Sequence, residues 1–193
     1  MIICGYQGIG KSTLAKTTMI DNEIPVLDLE SGNFWVDGKR CNNWYKIYAQ
    51  IAVHLSQQGN IVMMSSHKVV RDYLKEIHEN ERLATIYPSD KLKERWTQKL
   101  RDRYFLSKKD KDYKALKNAE EMYSYNINEL ATQEGFDHIC ITNIDYYLDA
   151  IVRMYVNMTQ NLPSKTDPSY TDNAHGRKIL YLPDAVITLK ENK

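Results

Sequence analysis

No apolar run in this sequence approaches the roughly 20 residues needed to cross a bilayer, so no membrane-spanning helix is expected. Cysteine is scarce: Cys4, Cys41 and Cys140 are odd in number and lack a C-x-x-C spacing, which argues against a disulfide framework or a zinc site. Cys4 and Cys140 sit in apolar strand-like runs and read as buried thiols. Neither sign of charge dominates. With 26 Lys plus Arg against 25 Asp plus Glu, the chain has no bulk attraction for nucleic acid or a membrane surface, so neither is an expected partner. Internal repeats and low-complexity tracts are missing as well. The N-terminus runs straight into a glycine-rich loop, which leaves no room for a cleavable leader. A cytoplasmic setting is the expectation.

What remains is an ordinary globular composition, 42% hydrophobic and 26% charged over 193 residues. It predicts one core domain, 1–193, with insertions. Met1 to Cys4 reads as a strand, Gly5 to Ser12 as a loop, and Ser12 to about Ile20 as a helix. Ile24 to Leu29 and Ile61 to Met64 are further strands. Between them Trp44, Ile47, Tyr48, Ile51, Ala52 and Leu55 recur at helical steps, with Gly59 as the stop. A helix carrying Val69, Val70, Tyr73 and Leu74 inward follows, then a strand at 82–87.

The segment Lys91 to Lys114 holds ten Lys or Arg and four Asp or Glu, yet Leu92, Trp96, Leu100 and Tyr104 keep a four-residue step. A helix reads from Leu116 to Gln133, a strand from His138 to Thr142, a helix from Ile144 to Met158, and a late strand from Val186 to Leu189. Residues 159–178 read as a long loop. Strands alternating with helices predict an α/β fold, with a mostly parallel central sheet covered on both faces. Ligands then gather at the carboxyl ends of the strands. Gly5 to Ser12, Asp28 with Glu30, and Ser65 to His67 all fall on that edge.

Gly5, Tyr6, Gln7, Gly8, Ile9, Gly10, Lys11 and Ser12 match G-x-x-x-x-G-K-[ST] in full, between a strand and a helix. Glycines let the backbone curl so that successive N–H groups face an anion. Gly5, Gln7, Gly8, Ile9, Gly10, Lys11, Ser12 and Thr13 are therefore the expected nucleotide contacts. Lys11 is placed to reach the β and γ phosphates of ATP, and Ser12 to offer its hydroxyl to Mg2+.

This loop, with its extra central glycine at position 8, resembles those of P-loop kinases that phosphorylate small molecules, such as nucleoside monophosphate, shikimate and gluconate kinases. It looks most like the compact (deoxy)nucleoside monophosphate kinases of bacteriophages. The motif-level likeness covers residues 1–30, and element order carries the rest. The resemblance implies a three-layer P-loop kinase fold with a helical lid, and ATP and Mg2+ as cofactors. It also implies an acidic residue after the second or third strand. Asp28 and Glu30 stand there, two apart and so on one face of the strand. The third strand departs from the pattern, leading into Ser65, Ser66 and His67 without a Walker B aspartate.

Asp28 is the expected metal ligand with Ser12 and, with Lys11, Arg95, Arg101 and Arg103, an expected catalytic residue. The arginines lie in a basic segment, 88–114, that resembles a lid closing over the phosphates. Asp28, Glu30, Phe34, Trp35, Ser66, His67 and Arg71 are the expected acceptor contacts. Phe34 and Trp35, in an insertion at 31–43, are suited to stack on a base, and Arg71 to hold a phosphate bidentately.

The function expected is ATP- and Mg2+-dependent phosphoryl transfer to a (deoxy)nucleoside monophosphate, giving the diphosphate. The alternatives are another acceptor, such as a nucleoside, a sugar acid or a polynucleotide end, or a non-catalytic nucleotide switch. No N/T-K-x-D run for guanine is present. A homodimer is compatible with all of these.

Overall fold

Strands β1 (Ile2–Gly5), β2 (Met19–Ile20), β3 (Ile24–Leu29), β4 (Trp35–Val36), β5 (Lys39–Arg40), β6 (Ile61–Ser65), β7 (Leu83–Pro88), β8 (Asp137–Ile141), β9 (Thr171–Asp172), β10 (Lys178–Tyr181) and β11 (Ala185–Leu189) alternate with helices. The helices are α1 (Lys11–Leu14), α2 (Trp44–Gln57), α3 (Lys68–Ile77), α4 (Lys93–Ser107), α5 (Asp110–Ala131) and α6 (Leu148–Gln160). This computed structural model describes residues 1–17, 19–20, 24–37, 39–78, 81–160, 171–172 and 178–190.

Among the described residues nine strands form one sheet in the order β2-β3-β6-β1-β7-β8-β11-β10-β9, and β4 and β5 form a separate ribbon. The five central strands, β3 to β8, run parallel. Strand β1 lies in the middle, with Cys4 beside Met64 of β6 and Thr85 of β7.

The central strands are mostly apolar because both faces are covered. Successive side chains point to opposite faces. Ile2, Cys4, Val62, Met64 and Leu83 meet Tyr48, Ala49, Ala52 and Val53 of α2 and Val70 and Leu74 of α3. Ile3, Met63, Ala84, Ile86, Ile139 and Ile141 meet Trp96 and Leu100 of α4, Ala119, Tyr123 and Ile127 of α5, and Ile151, Val152 and Tyr155 of α6. The architecture is therefore three-layered, α2 and α3 over one face and α1, α4, α5 and α6 over the other. Burial pushes the Cys4 thiol up to about 12 and that of Cys140 to about 11, so both stay protonated and inert.

The structure corrects several boundaries. The helix expected from Ser12 to Ile20 is α-helical only to Leu14. A 3-10 turn, Ala15–Thr17, follows, and Met19–Ile20 pairs back antiparallel onto β3. The helix expected from Leu116 begins at Asp110, after Lys108 breaks the chain in the left-handed region (φ 53°). Asp110 and Asp112 in its first turn complement the helix dipole.

Val69 was expected inside and is half exposed, whereas Arg71 takes the inward place. The last helix starts at Leu148 rather than Ile144. The late strand is an antiparallel hairpin, β10 with β11, added to β8. Of the expected loop at 159–178, residues 161–170 and 173–177 lie outside the described residues; Thr171–Asp172 forms the short β9. Among the described residues no helix is long and apolar enough to cross a membrane.

Candidate active site

The glycine-rich loop leaves the sheet at the end of its central strand. Gly8 and Gly10 adopt φ of 80° and 97°, where a side chain would be strained. At Gly5 a Cβ would lie 2.9 Å from Ile9 Cγ2 and 3.1 Å from Lys11 Cδ, so the curl of the loop closes on itself there. The loop's carbonyls are engaged. Tyr6 O accepts the N–H of Ile9, and Gly10 O those of Thr13 and Leu14. Gln7 O accepts the Trp96 indole N–H (3.1 Å) and Ile9 O the Tyr146 hydroxyl (2.8 Å). The N–H groups of Gly8, Gly10, Lys11 and Ser12, in contrast, donate to no backbone acceptor among the described residues. A run of free donors on the concave side of a glycine loop is an anion nest.

Lys11 lies beside this nest, its Nζ 3.4 Å from Gly5 O. Burial lowers its pKa, while the carboxylates of Asp28 and then Glu30 pull it back up. The Ser12 hydroxyl donates to Asp28 Oδ2 at 2.5 Å, and Glu30 also faces Lys111 of α5 at 3.7 Å. The second parallel strand thus brings its carboxylates to the loop. Among the described residues no three His, Cys, Asp or Glu side chains assemble into a metal cage. A hydroxyl and one carboxylate do fit an ion such as Mg2+, which keeps several waters and takes other ligands from phosphates.

A second cluster stands at the same edge, where β3 and β6 end. Ser31 Oγ lies 3.3 Å from Ser65 Oγ and 3.2 Å from His67 Nε2, and Arg40 Nη2 lies 3.2 Å from the same nitrogen. The Arg40 guanidinium sits 3.8 Å over the Trp44 ring and 5.4 Å from that of Trp35. Its Nε is enclosed without an acceptor among the described residues. Burial, then the charges of Arg40, Lys11 and Arg71, push the pKa of His67 down to about 4. The imidazole is therefore neutral at pH 7, and Arg40 donates to Nε2, which puts the ring proton on Nδ1.

This has a measurable consequence. An unfolded chain protonates His67 near 6.5 and the folded protein only near 4, so between those values the unfolded state holds more protons. The stability due to neutral His67 is complete above pH 6.5 and is lost as pH falls towards 4. The thermal midpoint of the parent should drop across that window more steeply than that of His67→Gln; parallel curves would remove His67 as the cause.

The expected site residues divide. Gly5, Gly8, Gly10, Lys11, Ser12, Asp28 and Glu30 meet at one place, with Ser65 at the end of β6 and His67 at the start of α3 beside them. The backbone of Gln7 belongs to the loop, but its side chain turns away to Ala115 O (2.8 Å) and Asn118 (3.1 Å). Arg71 does not line the site. It is fully buried, donating to Gln133 (3.1 Å), Glu129 (2.7 Å) and the carbonyl of Ser66, and so ties α3 to α5. Phe34 packs edge-on against Tyr48 in the core, leaving half-exposed Trp35 as the accessible ring.

Of the three arginines, Arg103 is near enough to Lys11 to lower its pKa, and pairs with Asp112 at 2.8 Å. Arg101 turns to Glu120 of α5 and Arg95 to Asp145, both as exposed pairs. Sequence reasoning passed over Ser31, took Trp44 for core, and left Arg40 unassigned. The aromatic and basic make-up of residues 34–44 was the available signal for Arg40. Nothing local marked Tyr146.

No protein-family model matches this chain, and no curated protein matches it. Solved structures do. A gluconokinase from Sinorhizobium meliloti 1021 superimposes with a TM-score of 0.50 at 14% identity, over 83% of this chain and 93% of that one. A shikimate kinase from Bacteroides thetaiotaomicron gives 0.49 at 10% identity over 83% and 96%. A shikimate kinase from Acinetobacter baumannii gives 0.47 at 13% over 85% and 94%. The likeness to the gluconokinase is one of fold, a three-layer α/β arrangement about a mostly parallel sheet.

Proposed function

We propose that this protein is a phosphotransferase that moves the γ-phosphoryl group of ATP, with Mg2+, onto a small acceptor, and that the acceptor is a nucleoside monophosphate. The observation that carries this reading is the set of free loop amides closed by Lys11 and faced by the Ser12–Asp28 pair. The amides and Lys11 hold the β and γ phosphates, and Arg103 adds a second cation on the same side. Ser12 and Asp28 would hold the metal or its waters; Mg2+, when bound, neutralises charge on the phosphate oxygens.

In the transfer an acceptor oxygen bonds to the γ-phosphorus as the bond to the β–γ bridging oxygen breaks, and ADP leaves. Any proton on the acceptor oxygen passes to Asp28 or Glu30. Catalysis is then positioning and electrostatics.

Arg40, Ser31 and neutral His67 form the acceptor's anion site in this reading, and Trp35 offers a face to a base. Residues 31–43 act as the acceptor segment and 88–114 as the lid within one unit, 1–193. A sugar acid is the second reading, because Arg40 with Ser31 suits a carboxylate as well as a phosphate.

The test is coupled ADP release across ribo- and deoxynucleoside monophosphates and sugar acids. Turnover of one or two monophosphates supports the reading, and turnover of a sugar acid alone moves the acceptor. ATP binding without transfer to any acceptor removes it. Arg40→Ala should raise the acceptor KM by about tenfold or more, the loss of a charged hydrogen bond worth ~1.5–3 kcal/mol, with the ATP KM unchanged. An ATP KM that rose equally would take Arg40 out of the acceptor site.

A further inference from the structure

We propose that Trp96 and Tyr146 are positioning residues for the triphosphate site, a pair of rings that aims the loop's amides at the phosphates; this rests on the reading of the loop as an ATP site. Trp96 is fully buried on α4, and Tyr146 lies between β8 and α6. Their rings stack with centroids 6.0 Å apart and planes within 8°. Lys99 Nζ sits 4.6 Å from the Trp96 ring and 4.8 Å from the Tyr146 ring, and 3.5 Å from the Tyr146 hydroxyl.

From this platform the indole N–H reaches Gln7 O at 3.1 Å, and the phenol O–H reaches Ile9 O at 2.8 Å. Each peptide unit is planar and trans, so a carbonyl and the N–H of the next residue point in opposite directions. Holding Gln7 O outward therefore turns the Gly8 N–H inward. Holding Ile9 O outward does the same for the Gly10 N–H. These are two of the amides that find no backbone acceptor among the described residues.

Gly8 and Gly10 are the loop positions whose φ is positive and whose backbone is least restrained by its own side chains. Without an external hold, their peptide units would sample flipped orientations that present carbonyl oxygen to the phosphates. The contact at Gly8 is close: a Cβ there would stand 2.8 Å from Leu100 Cδ2 and 3.4 Å from Trp96 Nε1. Helix α4 is thus seated on the loop along its Trp96 and Leu100 face. Burial raises the Tyr146 pKa, which keeps its hydroxyl a donor across the neutral range.

The test uses Tyr146→Phe, which loses only the donor, and Trp96→Phe, which keeps an aromatic ring but gives up volume along with the donor. Affinity for the non-hydrolysable ATP analogue AMP-PNP is measured by calorimetry, with KM values for ATP and acceptor and the thermal midpoint alongside. Each variant should bind AMP-PNP about fivefold more weakly, the size expected for one neutral hydrogen bond. The double variant should lose more, with the KM for ATP rising and that for acceptor unmoved.

A purely structural role would lower the midpoint and leave the affinity of the folded protein intact, and that overturns the inference. Should Trp96→Phe fold poorly, half-buried Tyr146→Phe decides alone. If both variants bind as the parent does while Lys11→Ala does not, the aiming role falls and the ATP reading stands. If the parent itself fails to bind AMP-PNP, the ATP reading falls and takes this inference with it.

Discussion

Lys11→Ala should lower phosphoryl transfer by at least about 10²–10³-fold, the usual effect of deleting one preorganised charge donor, while the melting midpoint holds or rises. The two halves of that expectation have separate causes. In transfer, charge accumulates on oxygens beside the nest, and Lys11 is the cation whose position the loop itself fixes; Arg103 lies behind it and is tied to Asp112. In the resting protein Lys11 works against stability, because burial disfavours its charged form and its one side-chain hydrogen bond among the described residues, to Gly5 O, is long at 3.4 Å. Removing the ammonium relieves that desolvation. Coupled ADP release with whichever acceptor the screen identifies, together with a thermal melt, checks both. A variant that keeps more than a tenth of parental turnover would sink the assignment.

Asp137→Ala has the reverse signature, a loss of about 3–5 kcal/mol of stability with normal kinetics in whatever remains folded. Asp137 opens β8 and is fully buried. Its carboxylate accepts from Arg82 Nε at 2.6 Å, the Tyr155 hydroxyl at 2.6 Å and the Lys190 N–H at 2.5 Å. It thereby joins the start of β7, helix α6 and the end of β11. Deleting it strands a largely buried guanidinium and a buried phenol together. With whole-domain stabilities of about 5–15 kcal/mol, this is a large fraction of the total. Asp137 lies at the amino end of β8, the edge opposite the loop, so the KM for ATP should not move. Urea unfolding with an unchanged midpoint would refute the role.

These two residues also mark what the sequence made legible. Lys11 announced itself because its chemistry is local: glycines, lysine and serine at fixed spacing between a strand and a helix. The strand ending at Leu29 was equally readable from its apolar run and its closing acids. Its bounds agree with the structure, and Asp28 does reach Ser12.

Arg71 misled because its partners, Glu129 and Gln133, lie on α5, far along the chain, and no local pattern separates a buried, satisfied arginine from one awaiting a phosphate. Trp96 showed as one apolar step in a helix, and its bond to Gln7 O was invisible for the same reason. The hairpin of β10 and β11 was half seen: its second strand was read from its apolar run, while the equally apolar Ile179–Leu182, next to the expected loop, was left unassigned. The aromatic insertion was read as a base-stacking segment, yet Phe34 packs, partly buried, against the core, and Arg40 of the same insertion holds the centre of the cluster.

The central place of β1 bears on how the protein is made. Synthesis delivers Ile2–Gly5 ahead of its neighbours on either side, which begin only at Ile61 and Leu83. At about 5–20 residues per second, this apolar segment waits several seconds for one flank and longer for the other. Parallel pairing across such separations is slow, because the loop entropy is spent before any contact repays it. Folding on the ribosome therefore cannot start from the segment that carries the chemistry. The glycine-rich loop takes shape only after β7 has emerged, and substitutions that weaken β6 or β7 should cut the yield of folded protein well before they alter the proposed activity of the molecules that succeed.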